Sequence, residues 1–122
     1  MAERIAIILH AEPGTHDSLG RALHSLLYTK ELNEKGFEAR LIFDGGGTRW
    51  AGELSKEDHK LHELFESVKA SGAIHGVCQF CVDAFGGSVD EVERAGLKVI
   101  GEYSGHPSVA GLIADGFKVI TL

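Results

Sequence analysis

Two cysteines occur in the chain, and they stand three apart as Cys78-Gln-Phe-Cys81. A thiol pair at this spacing suits two kinds of chemistry: a nucleophilic thiolate with a second thiol beside it, or half of a tetrahedral metal site. The structural alternative is two small buried apolar residues, since free cysteine is among the most buried residue types. A strand ending at Val77-Cys78 and a helix beginning near Gln79 would place Cys81 in the first helical turn. Unpaired N–H groups and partial positive charge there favour thiolate over thiol, so one of the two thiols is expected to be acidified. Gly86-Gly87 limits that helix to little more than one turn. Such a segment either moves easily to meet a partner or simply closes a loop.

Other residues that can move protons or hold a ligand are fewer. His106, before Pro107, and His10, closing an apolar run, can stabilise a thiolate or shuttle a proton. Tyr103 stands near His106, and Asp44 and Glu12 can orient a loop histidine. Asp44-Gly45-Gly46-Gly47-Thr48 resembles a phosphate-cradling loop in glycine content alone, without the Lys-Ser/Thr of a P-loop or the spacing of a dinucleotide fingerprint. Its expected role is to let the backbone approach a neighbouring loop or a small anion. Trp50 is expected to cover the site or a subunit contact, while His24, His59 and His62 read as solvated helix residues. No Ser-His-Asp signature and no paired-carboxylate pattern is present.

The elements that must position these residues follow from periodicity. Ile5–Leu9, Leu41–Phe43, Ala73–Val77, Leu97–Ile100 and Phe117–Leu122 are short apolar runs of strand type. Between them lie helical stretches. One runs from about Thr15 to Gly36, one follows Ser55-Lys-Glu-Asp58 with Leu61, Leu64, Phe65 and Val68 on one face, one follows the capping box Ser88-Val-Asp-Glu91, and one opens at Pro107 and ends at Asp115. Strand and helix alternate throughout. The expected fold is a three-layer α/β domain, an open, mainly parallel five-stranded sheet of flavodoxin-like size with helices on both faces. In such sheets ligands meet the crevice beyond the carboxyl ends of the strands, which selects the loops after His10, Asp44, Cys78 and Tyr103.

Composition narrows the class further. The 122 residues are 43% hydrophobic and 25% charged, an ordinary globular balance for a single domain spanning 1–122 and not that of a disordered or fibrous chain. Twelve basic residues against 18 acidic ones give a net charge of −6, which argues against nucleic acid or an anionic membrane as partner. Met1-Ala-Glu-Arg4 leads into an apolar run without the basic region or cleavage site of a signal peptide, and no stretch nears the ~20 apolar residues a bilayer needs. With a lone C-x-x-C in place of a disulfide framework, the expected compartment is the reducing cytoplasm.

Cys78-Gln-Phe-Cys-Val-Asp-Ala-Phe-Gly86 resembles the DsrE/DsrF-like family of small sulfur-relay proteins. Ile5-Ala-Ile-Ile-Leu-His10, Leu41-Ile-Phe-Asp-Gly-Gly-Gly47 and the ending Gly111-Leu-Ile-Ala-Asp-Gly116 to Leu122 extend the likeness over nearly the whole chain. The resemblance implies a cysteine in this loop that accepts sulfane sulfur as a persulfide and passes it on. It also implies a homo-oligomer, a trimer or hexamer, working with sulfur donor and acceptor proteins. The family pattern falls best on Cys81-Val-Asp-Ala-Phe-Gly86, making Cys81 the carrier and Cys78 a second, resolving thiol. Ala84-Phe85 stand where basic residues often precede the glycine.

Three readings follow. The first is a sulfur carrier or sulfurtransferase-like protein acting through Cys81 and Cys78, which needs no cofactor and no metal because the thiolate is itself the nucleophile. Tyr103, His106, His10, Asp44, Gly45 and Gly46 would be its auxiliary residues. The second is a zinc module using both cysteines with His75 or His106, for which C-x-x-C supplies only half the usual pattern. The third is an oligomeric binding subunit whose cysteines are buried and inert.

Overall fold

Ile5, Ile7 and Leu9 alternate with Ala6 and Ile8 in the first strand, and both sets are buried. That is the mark of a strand covered on both faces. The computed structural model describes residues 2–122. Its strands are β1 (Arg4–Leu9), β2 (Glu38–Phe43), β3 (Ile74–Cys78), β4 (Val99–Ile100) and β5 (Phe117–Thr121). All pair in parallel, in the order β4-β3-β2-β1-β5. The helices are α1 (His16–Glu34), α2 (Trp50–Leu54), α3 (His62–Ala70), α4 (Gln79–Ala84), α5 (Val89–Arg94) and α6 (Val109–Ala114).

The expected parallel five-stranded α/β sheet is therefore present, with its layers unequal. From β1 to β4 the chain steps in one direction across the sheet, and right-handed crossovers put every intervening helix on the same face. Only the return from β4 to β5 reverses the step, leaving α6 to cover the opposite face. The cores reflect this. Ile7, Leu9, Leu41, Phe43 and Val77 pack with Leu26, Leu54, Phe65 and Val92 on the thick side, while Ala6, Ile8 and Ile42 meet Leu112 and Phe117 on the thin side.

Several boundaries shift for physical reasons. β2 begins at Glu38, three residues before its apolar run, because Arg4 of β1 and Arg40 both pair with Glu38 at 2.9 and 3.0 Å and so extend the ladder with polar residues. Ser55 does not start the second predicted helix. It ends α2, its hydroxyl donating to the Gly52 carbonyl at 2.8 Å, and α3 begins only at His62. Ser88 and Ser108 do cap their helices, accepting from the Glu91 and Gly111 amides, so Pro107 precedes the last helix and does not begin it. β4 shrinks to two residues.

Helix α1 starts at its expected cap, Thr15, in a reciprocal box with Ser18. Its buried stripe, however, is Ser18, Ala22, Ser25, Leu26 and Thr29, while Leu27 is exposed. Small side chains allow close approach to the sheet, and the Ser25 and Thr29 hydroxyls are satisfied by the Ala22 and Ser25 carbonyls at 2.8 and 2.7 Å. Gly20 lies in this helix with nothing within 4 Å of where a Cβ would stand. Gly20→Ala is thus expected to stabilise the protein by about 0.5–1 kcal/mol, measurable as an increased urea midpoint at unchanged slope; a decrease would mean that α1 is packed differently.

Candidate functional site

β2, β3 and β4 all end on one rim of the sheet, and each delivers a functional side chain there. Phe43 closes β2, and Asp44 then caps a 3₁₀ turn, Gly45–Arg49, its Oδ1 accepting from the Gly45 amide at 2.8 Å. Gly45 takes a φ of +55°, which favours a residue without a Cβ. β3 ends at Cys78, which is also the residue before α4, and Cys81 follows one turn later. Beyond β4 the chain reverses at Tyr103-Ser104-Gly105-His106, where Tyr103 and His106 exchange two backbone hydrogen bonds of 2.8 Å. Ser104 and Gly105 both have positive φ, as a type I′ turn demands. The Phe80 amide donates to the Gly105 carbonyl at 2.9 Å, tying this turn to α4.

The result is one cluster of four side chains. Cys81 donates to Asp44 Oδ1 at 3.6 Å, and Cys78 Sγ lies 3.4 Å from His106 Nδ1 and 3.7 Å from the Gly105 carbonyl. The two sulfurs, a carboxylate oxygen and the imidazole nitrogen all fall within 4.8 Å of one another. Cys78 is wholly buried and Cys81 is 8% exposed, whereas Asp44 and His106 are half-buried at the rim. No disulfide joins the cysteines. The His106 ring packs on Phe80 at 4.7 Å, which fixes its orientation.

Burial pushes the Cys78 thiol up to about 12; a backbone hydrogen bond at Cys81 opposes this, while the Cys81 side chain and Asp44 reinforce it. At Cys78 the direction is therefore opposite to the acidification expected from the sequence, since removal of solvent outweighs the short helix. The thiol stays protonated at neutral pH and ionises only as pH rises towards 12. Alkylation of Cys78 at pH 8, read by peptide mapping, is expected to be at least about tenfold slower than that of a free cysteine. A free-cysteine rate would remove the burial argument.

The remaining predicted residues divide. Gly45 and Gly46 belong to the Asp44 turn, and Gly46 is close enough to Glu12 that a Cβ would stand 2.7 Å from the Glu12 Cβ. His10 borders that turn, its Nδ1 3.4 Å from a Cβ built on Gly45, but lies outside the four-residue cluster and is exposed. Tyr103 serves through its backbone alone in positioning His106, and its side chain is 70% exposed. His75 does not join the cysteines. It lies 3.5 Å from Arg40 and lines a separate groove with Arg4, Ser108 and Phe117 beside α6.

Trp50 is not a lid or a subunit contact; it is 2% exposed, with its indole N–H donating to the Ala11 carbonyl at 2.7 Å. Two of the histidines read as solvated are half-buried. His59 Nδ1 accepts from the Leu61 amide at 3.0 Å, and His62 Nδ1 lies 2.8 Å from the Leu54 carbonyl, so both brace the segment between α2 and α3. Thr48 and Gly47 were not among the predicted site residues. The buried Thr48 hydroxyl lies 2.9 Å from the Gly45 carbonyl and 3.4 Å from that of Cys81, linking the two halves of the site. Only their place in the Asp44 loop marked them in the sequence.

Comparison with known proteins agrees with this architecture. An uncharacterized protein of Methanocaldococcus jannaschii is 35% identical over 100 residues, covering 82% of this chain and 78% of that protein. Another, from Archaeoglobus fulgidus, is 44% identical over 48 residues, 39% of this chain and 70% of its own length. No solved structure matches the chain. Among the described residues no helix is long and apolar enough to cross a membrane. The DsrE/DsrF-like family model matches residues 3–122, and the chain belongs to that family.

Proposed function

We propose that this protein is a sulfur carrier that holds sulfane sulfur as a persulfide on Cys81 and passes it to an acceptor protein. The reading is carried by the convergence of two thiols with a carboxylate and an imidazole at the rim of a DsrE/DsrF-like sheet. Cys81 is the more exposed thiol, and its proton already points at Asp44. As a donor persulfide approaches, that proton passes to Asp44 and the Cys81 thiolate attacks the donor's terminal sulfur. The donor S–S bond breaks, its thiolate leaves, and a new S–S bond forms on Cys81. An acceptor thiolate then attacks the terminal sulfur, and Cys81 departs as thiolate and recovers its proton. No redox cofactor is required, because each step exchanges one sulfur–sulfur bond for another.

The surroundings suit contact with other proteins. Phe80 is 58% exposed and Phe85 38% exposed, on either side of Cys81 in sequence. A shallow groove lined by Gln79, Phe80, Asp83, Ala84 and Gly105 runs beside α4. Apolar exposure of this kind fits docking of donor and acceptor proteins and assembly into a homo-oligomer, in the reducing cytoplasm. Intact-mass measurement after incubation with a sulfane donor tests the reading. Wild type and Cys78→Ser are expected to gain one sulfur and Cys81→Ser none. Equal loading of Cys81→Ser would transfer the role to Cys78, and absence of loading on every form would end the proposal.

A further inference from the structure

We infer that Asp44, Cys78, Cys81 and His106 form a four-ligand site for a borderline-soft divalent cation of the Zn²⁺ type, and that metal and sulfane sulfur exclude one another there. The metal site stands on the geometry alone; the exclusion rests on the sulfur-carrier reading.

Two thiolates, one imidazole and one carboxylate are a donor set that zinc accepts and that calcium or magnesium, which demand oxygen ligands, do not. Zn–S bonds of about 2.3 Å and Zn–N or Zn–O bonds of about 2.0–2.1 Å place adjacent ligand atoms of a tetrahedron about 3.5 Å apart for N or O to S, and slightly farther for S to S. The observed Cys78–His106 and Cys81–Asp44 separations are 3.4 and 3.6 Å, and no pair of the four donor atoms is more than 4.8 Å apart. These are also ordinary thiol hydrogen-bond lengths, so an ion would replace the two thiol protons along edges already of the right length, while any pair as far apart as 4.8 Å would close by about 1 Å around it. Supporting contacts hold the ligands in place. The Gly45 amide fixes the Asp44 carboxylate, and Phe80 fixes the His106 ring.

The sequence spacing shows only the C-x-x-C half of this set. Asp44 and His106 come from the β2 and β4 loops, which the parallel sheet brings to the same rim. The four ligands stand at the rim of a protein with hydrophobic clusters of its own on both faces of the sheet, unlike a zinc finger, whose small core depends on its metal. Zinc draws charge off a bound thiolate and holds it within the ligand sphere, which weakens its attack on a donor's sulfur. A sulfur added to Cys81 would in turn take the metal's place between the ligands, hence the exclusion.

The test is titration of the reduced, metal-free protein with Co²⁺ and then Zn²⁺. The expected result is one Co²⁺ per chain, with thiolate-to-metal charge-transfer absorption and the intense visible bands of four-coordinate cobalt, bleached by one equivalent of Zn²⁺. Asp44→Asn keeps an oxygen for the Gly45 amide, and His106→Gln keeps a polar side chain. Each is expected to bind at least about tenfold more weakly while retaining the wild-type circular dichroism. A pale six-coordinate spectrum, no binding, or equal affinity in these folded variants would overturn the site. Sulfane loading of the same samples decides the second half. Loading blocked by zinc and restored by a chelator supports exclusion, and undiminished loading of the zinc form overturns it. Zinc binding by a protein that loads no sulfur even when metal-free would leave the metal site standing and remove the sulfur reading.

Discussion

Gly47→Ala is expected to lower the unfolding midpoint by about 10 °C or more. A Cβ at this position would stand 2.0 Å from the Leu9 carbonyl oxygen and 2.8 Å from its carbon. Both are backbone atoms at the end of β1, so no side chain can swing away to make room. The same Leu9 oxygen accepts the Asp44 amide at 3.0 Å, and the Gly47 amide donates to the Asp44 carbonyl at 2.9 Å. Relief of the clash must therefore pull apart the turn that aims Asp44 at Cys81. Overpacking a tight interior costs typically 1–3 kcal/mol, and a contact this far inside van der Waals distance belongs at or above the upper end. That is a large fraction of the roughly 5–15 kcal/mol that holds a domain folded. Gly20→Ala is the natural comparison, the same added methyl in open space with the opposite sign. A thermal melt of Gly47→Ala coinciding with wild type would show that the glycine loop is not seated against β1 as described.

Cys78→Ser is expected to extend the lifetime of the sulfur on Cys81 by at least about tenfold, because it removes a thiol held at high effective concentration beside the persulfide. In the wild type, His106 Nδ1, 3.4 Å from Cys78 Sγ, is the base within reach of the buried thiol. On the proposed sulfur-carrier reading, Cys78 once deprotonated would attack the inner sulfur of the Cys81 persulfide. The outer S–S bond breaks, hydrosulfide leaves with the bonding pair, and a Cys78–Cys81 disulfide remains; a dithiol reductant then restores both thiols. Because burial pushes Cys78 up to about 12, this release depends on the imidazole. His106→Gln should slow hydrosulfide release without preventing loading. Timed mass spectra and sulfide assays separate the two steps. Identical decay of the persulfide in wild type and Cys78→Ser would deny Cys78 its resolving role and leave it a buried neighbour.

How much of this was legible in the chain differs between fold and site. The alternation of apolar runs with helical stretches requires only neighbouring residues, and it identified all five strands, the parallel sheet and the Thr15 and Ser88 helix starts, while the last helix, expected to open at Pro107, is capped one residue later by Ser108. Ser55 misled because its pattern mimics a cap while its hydroxyl bonds backward to Gly52, ending α2. Trp50 misled because an aromatic residue after a glycine loop reads as a lid until the Ala11 carbonyl is seen to hold its indole.

By itself the sequence determined the local elements, the cysteine pair and its place at a strand-to-helix junction, since each depends on side-chain type and short-range periodicity. Only the tertiary structure decided the strand order, and with it which loops share a rim. Asp44, Cys78 and His106 are 34 and 28 residues apart along the chain, yet Asp44 and His106 reach the two thiols at hydrogen-bond distance. The same order sent His75 to Arg40 on the thin face and left α6 to cover that face alone. Burial likewise belongs to the whole fold. A thiol whose local position favours ionisation is kept protonated by the solvent that packing removes.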